Sequence, residues 1–223
     1  MKKISIYISI LSVVLMSCER IPTGVSGKEN GHEYIDMGTS VMWSPVNLGA
    51  TVIGEYGDYY AWGETEPKEK YSWENYKWCK GKETQLTKYF EGDNRTILEL
   101  EDDAAHVRWG GTWRIPNQKE WKELVDKCDC RYVHSTQGKG FLFTAKNGNT
   151  LFFPLAGTKD AMFDLFGYSA EGSFGSYQSN GIRGTEWSLS RTITFDKEEN
   201  FLYMQGRSRF QGTSIRPICV PSK

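Results

Sequence analysis

Aromatic side chains, more than aliphatic ones, have to build whatever core this chain possesses. After the first 17 residues, 206 residues contain 30 Phe, Tyr or Trp, whereas Leu, Ile, Val and Phe together number 39, or 19% of that stretch. A share below roughly 20% marks chains short of burial material. Disorder, however, also requires a high net charge. Here 25 basic residues face 28 acidic ones, a balance of −3. Each aromatic ring removes about 150–250 Å² from water, so the aromatics make up the aliphatic deficit. The near-neutral balance also argues against a nucleic-acid partner, which calls for a basic patch on a basic domain.

The aliphatic residues are concentrated at the amino terminus. Met1-Lys2-Lys3 precedes an apolar run from Ile4 to Met16, followed by Ser17-Cys18. A positive start, a short apolar stretch and a small residue before the cut make residues 1–17 an export signal. The tetrad Leu15-Met16-Ser17-Cys18 resembles a bacterial lipobox, with Met in place of a more usual second residue. That resemblance implies acylation of Cys18 and an anchored, non-spanning protein. It places the product in the cell envelope as an outer-membrane lipoprotein, with the surface and periplasmic faces both open. Residues 18–30, with two Gly and one Pro, read as a tether, and residues 31–221 as one domain without repeats.

In an oxidising compartment Cys79, Cys128, Cys130 and Cys219 have three ways to pair, and spacing does not choose among them. Two segments read as helix. Asn117 stands three residues before Glu120, as in a capping box, and Trp121, Leu124, Val125 and Cys128 then recur at helical spacing. A shorter helix is expected from Asp102 to Trp109, ended by Gly110-Gly111. Phe141–Ala145 and Thr150–Pro154 flank Asn147-Gly148, a hairpin signal expecting positive φ at both turn residues. Further strands are expected at 34–37, 59–62, 187–195, 201–205 and 214–220, with a long loop over 167–184. The expected class is α+β, with two helices, short antiparallel strands and long loops.

Several motifs carry a family resemblance. Arg114-Ile115-Pro116-Asn117, followed by Glu120-Trp121, is similar to a signature of the formylglycine-generating, sulfatase-modifying group of C-type-lectin-like folds, and Ser214-Ile215-Arg216-Pro217-Ile218 resembles that group's last strand. A closer resemblance is to the Fibrobacter succinogenes major paralogous domain of Bacteroidota lipoproteins. It rests on Tyr56 to Glu66, Leu86-Thr87-Lys88-Tyr89, Glu101 to Ala105, and Asn147-Gly148-Asn149 through Pro154 to Gly157. The resemblance spans about residues 34–219 and implies a C-type-lectin-like domain.

The related enzyme is a copper-dependent oxidase that uses two cysteines five positions apart, and this chain has no such pair. His32, His106 and His134 are isolated, and no nucleophile elbow or His-Glu-x-x-His is present. The chain is therefore expected to be non-catalytic and to need no cofactor, with a structural calcium on loop oxygens left open. The leading expectation is a binding protein that recognises a glycan or an envelope protein through late loops rich in aromatics, Arg and small polar residues. Tyr177, Arg183, Trp187, Arg207, Arg209, Phe210 and Gln211 are the expected ligand-binding residues, and Arg207, Arg209 and Gln211 are expected to share one solvated strand face. One alternative is a carbohydrate- or protein-modifying enzyme using Glu64 or Asp103. Another is a structural or pilus-associated envelope subunit.

Overall fold

The computed structural model describes residue 21 and residues 24–161, 170–196 and 201–221. The export signal and Cys18 lie outside the described residues. The domain is α+β, built of small antiparallel sheets with two α-helices. Among the described residues no helix is long and apolar enough to cross a membrane.

Chain order begins with a hairpin of β1 (Gly27–Glu29) and β2 (His32–Tyr34), then β3 (Met42–Trp43). Asn30 and Gly31 at the hairpin tip have φ of 44° and 83°, the double positive φ that a tight two-residue turn needs. Residues 27–30, read from sequence as tether, are thus part of the domain. Ile21 adds to this, being buried against Val133, Leu142 and Phe152.

Helix α1 (Ala104–Trp109) is capped by Asp103, one of the two aspartates the sequence offers for that role, which accepts the His106 N–H at 3.0 Å. Helix α2 (Gln118–Lys127) begins as expected: Asn117 Oδ1 accepts from Lys119 and Glu120, and Glu120 returns the bond to the Asn117 N–H. Trp121 and Leu124 face inward. Cys128 does not extend the helix; it opens β4 (Cys128–Ser135). With β5 (Gly138–Ala145) and β6 (Thr150–Pro154), β4 forms a three-stranded antiparallel sheet.

The β5–β6 hairpin is present, with one correction. Gly148 is at φ 86° while Asn147 is not among the positive-φ residues. The loop is therefore three residues, closed by Gly148 N–H to Ala145 O and Ala145 N–H to Asn149 O, both 2.9 Å. A second three-stranded sheet consists of β7 (Phe174–Arg183), β8 (Glu186–Asp196) and β9 (Phe201–Ser208). Strand β7 occupies most of what reads as a long loop. Its Gly175, Ser176, Gln178 and Ser179 are buried, an arrangement that local propensity does not reveal.

Strand β10 (Ile218–Cys219) runs back to pair with β3, and Ile218 exchanges backbone bonds with Arg114 at 2.9 and 3.0 Å. Segments 59–62 and 214–217 are not strands. A single bridge joins Tyr60 to Thr213, and side chains do the rest. Arg216, fully buried, donates to Asn47 Oδ1, to the carbonyls of Ser44 and Pro45, and to Phe152 O, at 2.8–3.1 Å. Burial draws its pKa down to about 10.

The core is aromatic. Trp43, Trp121, Phe141, Phe143, Phe153, Tyr177 and Phe195 interlock between the sheets and α2, with ring centroids such as Phe153–Phe195 at 5.2 Å and Trp43–Trp121 at 4.9 Å. A second cluster gathers Tyr60, Trp62, Tyr89, Ile115, Ile182 and Ile215 beneath α1.

Candidate functional site

The expected ligand residues separate into different environments. Tyr177 is a core residue at 0% exposure, its hydroxyl donating to Pro154 O at 2.6 Å. Arg209 is likewise 0% exposed. The expected solvated face of Arg207, Arg209 and Gln211 is thus corrected. Strand β9 stops at Ser208, and the turn beyond it directs the Arg209 guanidinium inward. Arg207 lies over the Phe174 ring at 4.8 Å and donates to Ser176 Oγ. Gln211 is tied to Asp160 at 2.7 Å, and Phe210 packs edge-on against Trp73. Arg183 is exposed and pairs with Glu186.

Trp187 is the exception. It lines a cleft of about 370 Å³ together with Leu86, Phe90, Glu83, Glu91 and Ser188. Neither Glu83 nor Glu91 has an ion pair or hydrogen bond among the described residues, and both are exposed. The cleft thus combines apolar faces with uncommitted carboxylates and offers no basic side chain.

Arg209 shapes this cleft from underneath. Its guanidinium donates to the Trp187 carbonyl at 3.0 Å, the Tyr89 carbonyl at 2.9 Å, the Lys88 carbonyl at 3.1 Å and the Tyr76 hydroxyl at 2.9 Å. It sits over the rings of Trp62, Tyr76 and Tyr89, at 4.8–5.7 Å. No carboxylate pairs with it among the described residues; carbonyl dipoles and ring faces compensate the charge instead. The two walls of the cleft, the 86–91 loop and the start of β8, are therefore pinned to one cation.

The loop wall is strained at one point. Tyr89 has φ of 58°, unusual for a bulky residue. Asp93 holds it there, accepting the N–H groups of Tyr89 at 2.7 Å and Phe90 at 3.0 Å. The Tyr89 hydroxyl donates to Asp102 at 2.7 Å. Strain of this kind, set beside an open cleft, is the pattern of a functional loop.

The carboxylates considered for catalysis are engaged elsewhere. Glu64 is buried, bridging Lys68 at 3.0 Å and the Lys77 N–H at 2.8 Å. Asp103 accepts the N–H groups of His106 and Ile115, and burial pushes its pKa up to about 6. His106 faces the Trp113 carbonyl, and His32 stacks on Trp109 at 4.1 Å.

Glu99, Glu101 and Asp102 are the acidic group close enough together to hold a cation. Lys88 fills that role, its ammonium lying 2.6 Å from Glu99, 3.0 Å from Glu101 and 2.6 Å from Asp102. Partial burial alone would lower the Lys88 pKa, but the three carboxylates outweigh it and raise the pKa well above the usual range.

Cys79, Cys128, Cys130 and Cys219 are free thiols. Burial pushes Cys128 up to about 11 and Cys130 and Cys219 up to about 12, so none of these three is poised as a thiolate.

Of the expected ligand residues, Trp187 lines this cleft, whereas its neighbours Leu86, Phe90, Glu83 and Glu91 were not among those expected. Their signal was the Leu86–Tyr89 motif followed by an aromatic and flanked by acids. Comparison with known protein families, with curated proteins and with solved structures finds no match to this chain.

Proposed function

We propose that the chain is a non-catalytic, lipid-anchored protein of the bacterial cell envelope, held to the outer membrane through Cys18, whose C-type-lectin-like domain binds a glycan. Support for the lectin-like reading is the α+β arrangement, with two helices, short antiparallel strands and long intervening segments carrying the motifs that resemble that family.

The observation that carries the binding reading is the cleft of Trp187, Phe90 and Leu86 with its free Glu83 and Glu91, backed by buried Arg209. Ring faces suit the apolar face of a sugar, and carboxylates accept from its hydroxyls. A protein partner would use the same hot-spot residue types and is the other outcome of the test. Nothing favours the enzyme reading, because Glu64 and Asp103 are bound into the scaffold.

The test is a glycan array probed with the purified protein. Trp187→Ala and Phe90→Ala should each weaken any hit about tenfold or more, and Glu83→Gln should weaken it less. Hits that survive both aromatic substitutions would put the binding face elsewhere. An array blank for wild type, with partner capture lost in W187A, would favour a protein ligand.

A further inference from the structure

A second groove, of about 490 Å³, runs between the first turn of α2 and the far end of β7. Its lining includes Lys119, Arg191, Asn117, Gln118, Asn180 and Ile97, and no acidic residue. Neither Lys119 nor Arg191 is in an ion pair among the described residues. The positive end of α2 adds to their field. Asn117 Oδ1 is occupied by the Lys119 and Glu120 N–H groups, and its amide nitrogen is a donor with no hydrogen bond among the described residues.

The strand that forms the groove floor is irregular at this point. The β7–β8 register shifts between Gln178 and Ile182. The displaced segment is clamped by Asn180 N–H to Pro116 O, Leu98 N–H to Asn180 O and Ile182 N–H to Thr96 O, at 2.9–3.0 Å. Bulges recur where a strand is re-aimed for binding.

Ser179, in the groove lining, is 1% exposed, and its Oγ has no hydrogen-bond partner. Buried polar atoms without partners are rare in folded proteins and call for an acceptor or donor supplied from outside.

We propose that this groove binds the carboxylate of an acidic sugar of the hexuronate class. Lys119 and Arg191 take the carboxylate, the amides of Asn117, Gln118 and Asn180 take ring hydroxyls, and Ser179 gains the partner it lacks. The exposed Ile97 and the side-chain-free backbone of Gly181 offer a surface for the apolar edge of the ring. The groove is independent of the Trp187 cleft.

Calorimetric titration of the full chain with glucuronate, its methyl ester, N-acetylglutamate and inorganic phosphate tests the assignment. Glucuronate should saturate, and the ester should bind at least about tenfold more weakly, the effect of losing a charge-assisted hydrogen bond. Arg191→Gln should lower affinity by a similar factor, Ser179→Ala should lower it less, and Trp187→Ala should leave it unchanged. An ester that binds as well as the acid, or no saturable glucuronate binding, would overturn the proposal without recourse to any variant. Phosphate or N-acetylglutamate binding as tightly as glucuronate would overturn the sugar assignment.

Discussion

Arg209 and Trp187 are joined back to front: the guanidinium donates to the Trp187 carbonyl at 3.0 Å, while Trp187 itself lines the open cleft. One is buried and the other half-exposed, yet both belong to the same wall. Arg209 therefore acts on this wall only through the backbone it holds.

Lysine at position 209 would keep the charge but lose the fork that reaches Lys88, Tyr89, Trp187 and Tyr76 together. Arg209→Lys should destabilise the protein by about 2–4 kcal/mol in urea or guanidinium unfolding, since several buried acceptors lose their donor. A change within about 0.5 kcal/mol, the range of ordinary surface substitutions, would show that the four bonds are dispensable.

Lys88 stands where a bound cation would sit among Glu99, Glu101 and Asp102. Millimolar calcium should leave the wild-type melting temperature unchanged. Lys88→Met should destabilise by about 3 kcal/mol, because Asp102 is left buried without its closest counter-ion. Calcium should then recover part of that loss by binding only the folded variant. A calcium-dependent rise in the wild-type melting temperature would contradict this assignment.

Asp103 gives the fold a pH dependence of defined sign. Its folded pKa, about 6, exceeds the ordinary value of 3.8, chiefly through burial. The folded state thus holds the proton more tightly than the unfolded chain. The associated stabilisation is complete below the unfolded pKa and is lost as pH rises through the folded one, up to about 3 kcal/mol in all. Asp103→Asn does not titrate, so the stability of wild type minus variant should fall between about pH 4 and about pH 6. A flat difference over that window would remove Asp103 as the cause.

Thiol chemistry offers a simple check on the four free cysteines. At mildly alkaline pH, Cys128, Cys130 and Cys219 should react slowly with a disulfide reagent in the native protein and rapidly once it is unfolded, because burial disfavours their thiolates. Fast native labelling of any of these three would contradict the packing described.

How far the sequence revealed this structure depended on the range of the interaction involved. The cap at Asn117, the inward face of Trp121 and Leu124, and the β5–β6 hairpin are local patterns, and they were legible. Strand β7 was not, because its polar residues are covered by segments far along the chain, such as Tyr60, whose carbonyl accepts from the Gln178 amide across 118 positions. Trp187 was singled out by composition alone, and the structure puts it at the edge of a cleft. Arg209 was misplaced because an arginine among Gly and Ser looks the same in sequence whether its carbonyl partners lie 22 or 121 residues away. The two Asn-Gly pairs show the same limit: Asn30-Gly31, whose Asn30 was read as the end of a tether, makes the tight turn, while Asn147-Gly148, read as such a turn, belongs to a longer loop.

The pairing of β10 with β3 also sets an order on biosynthesis. Until Ile218 has been translated, Met42–Trp43 lacks its partner strand, and the carbonyls of Ser44, Pro45 and Phe152 lack the guanidinium of Arg216. The clasp between β3 and β10 can therefore close only after every element that lies between them in the chain has been made.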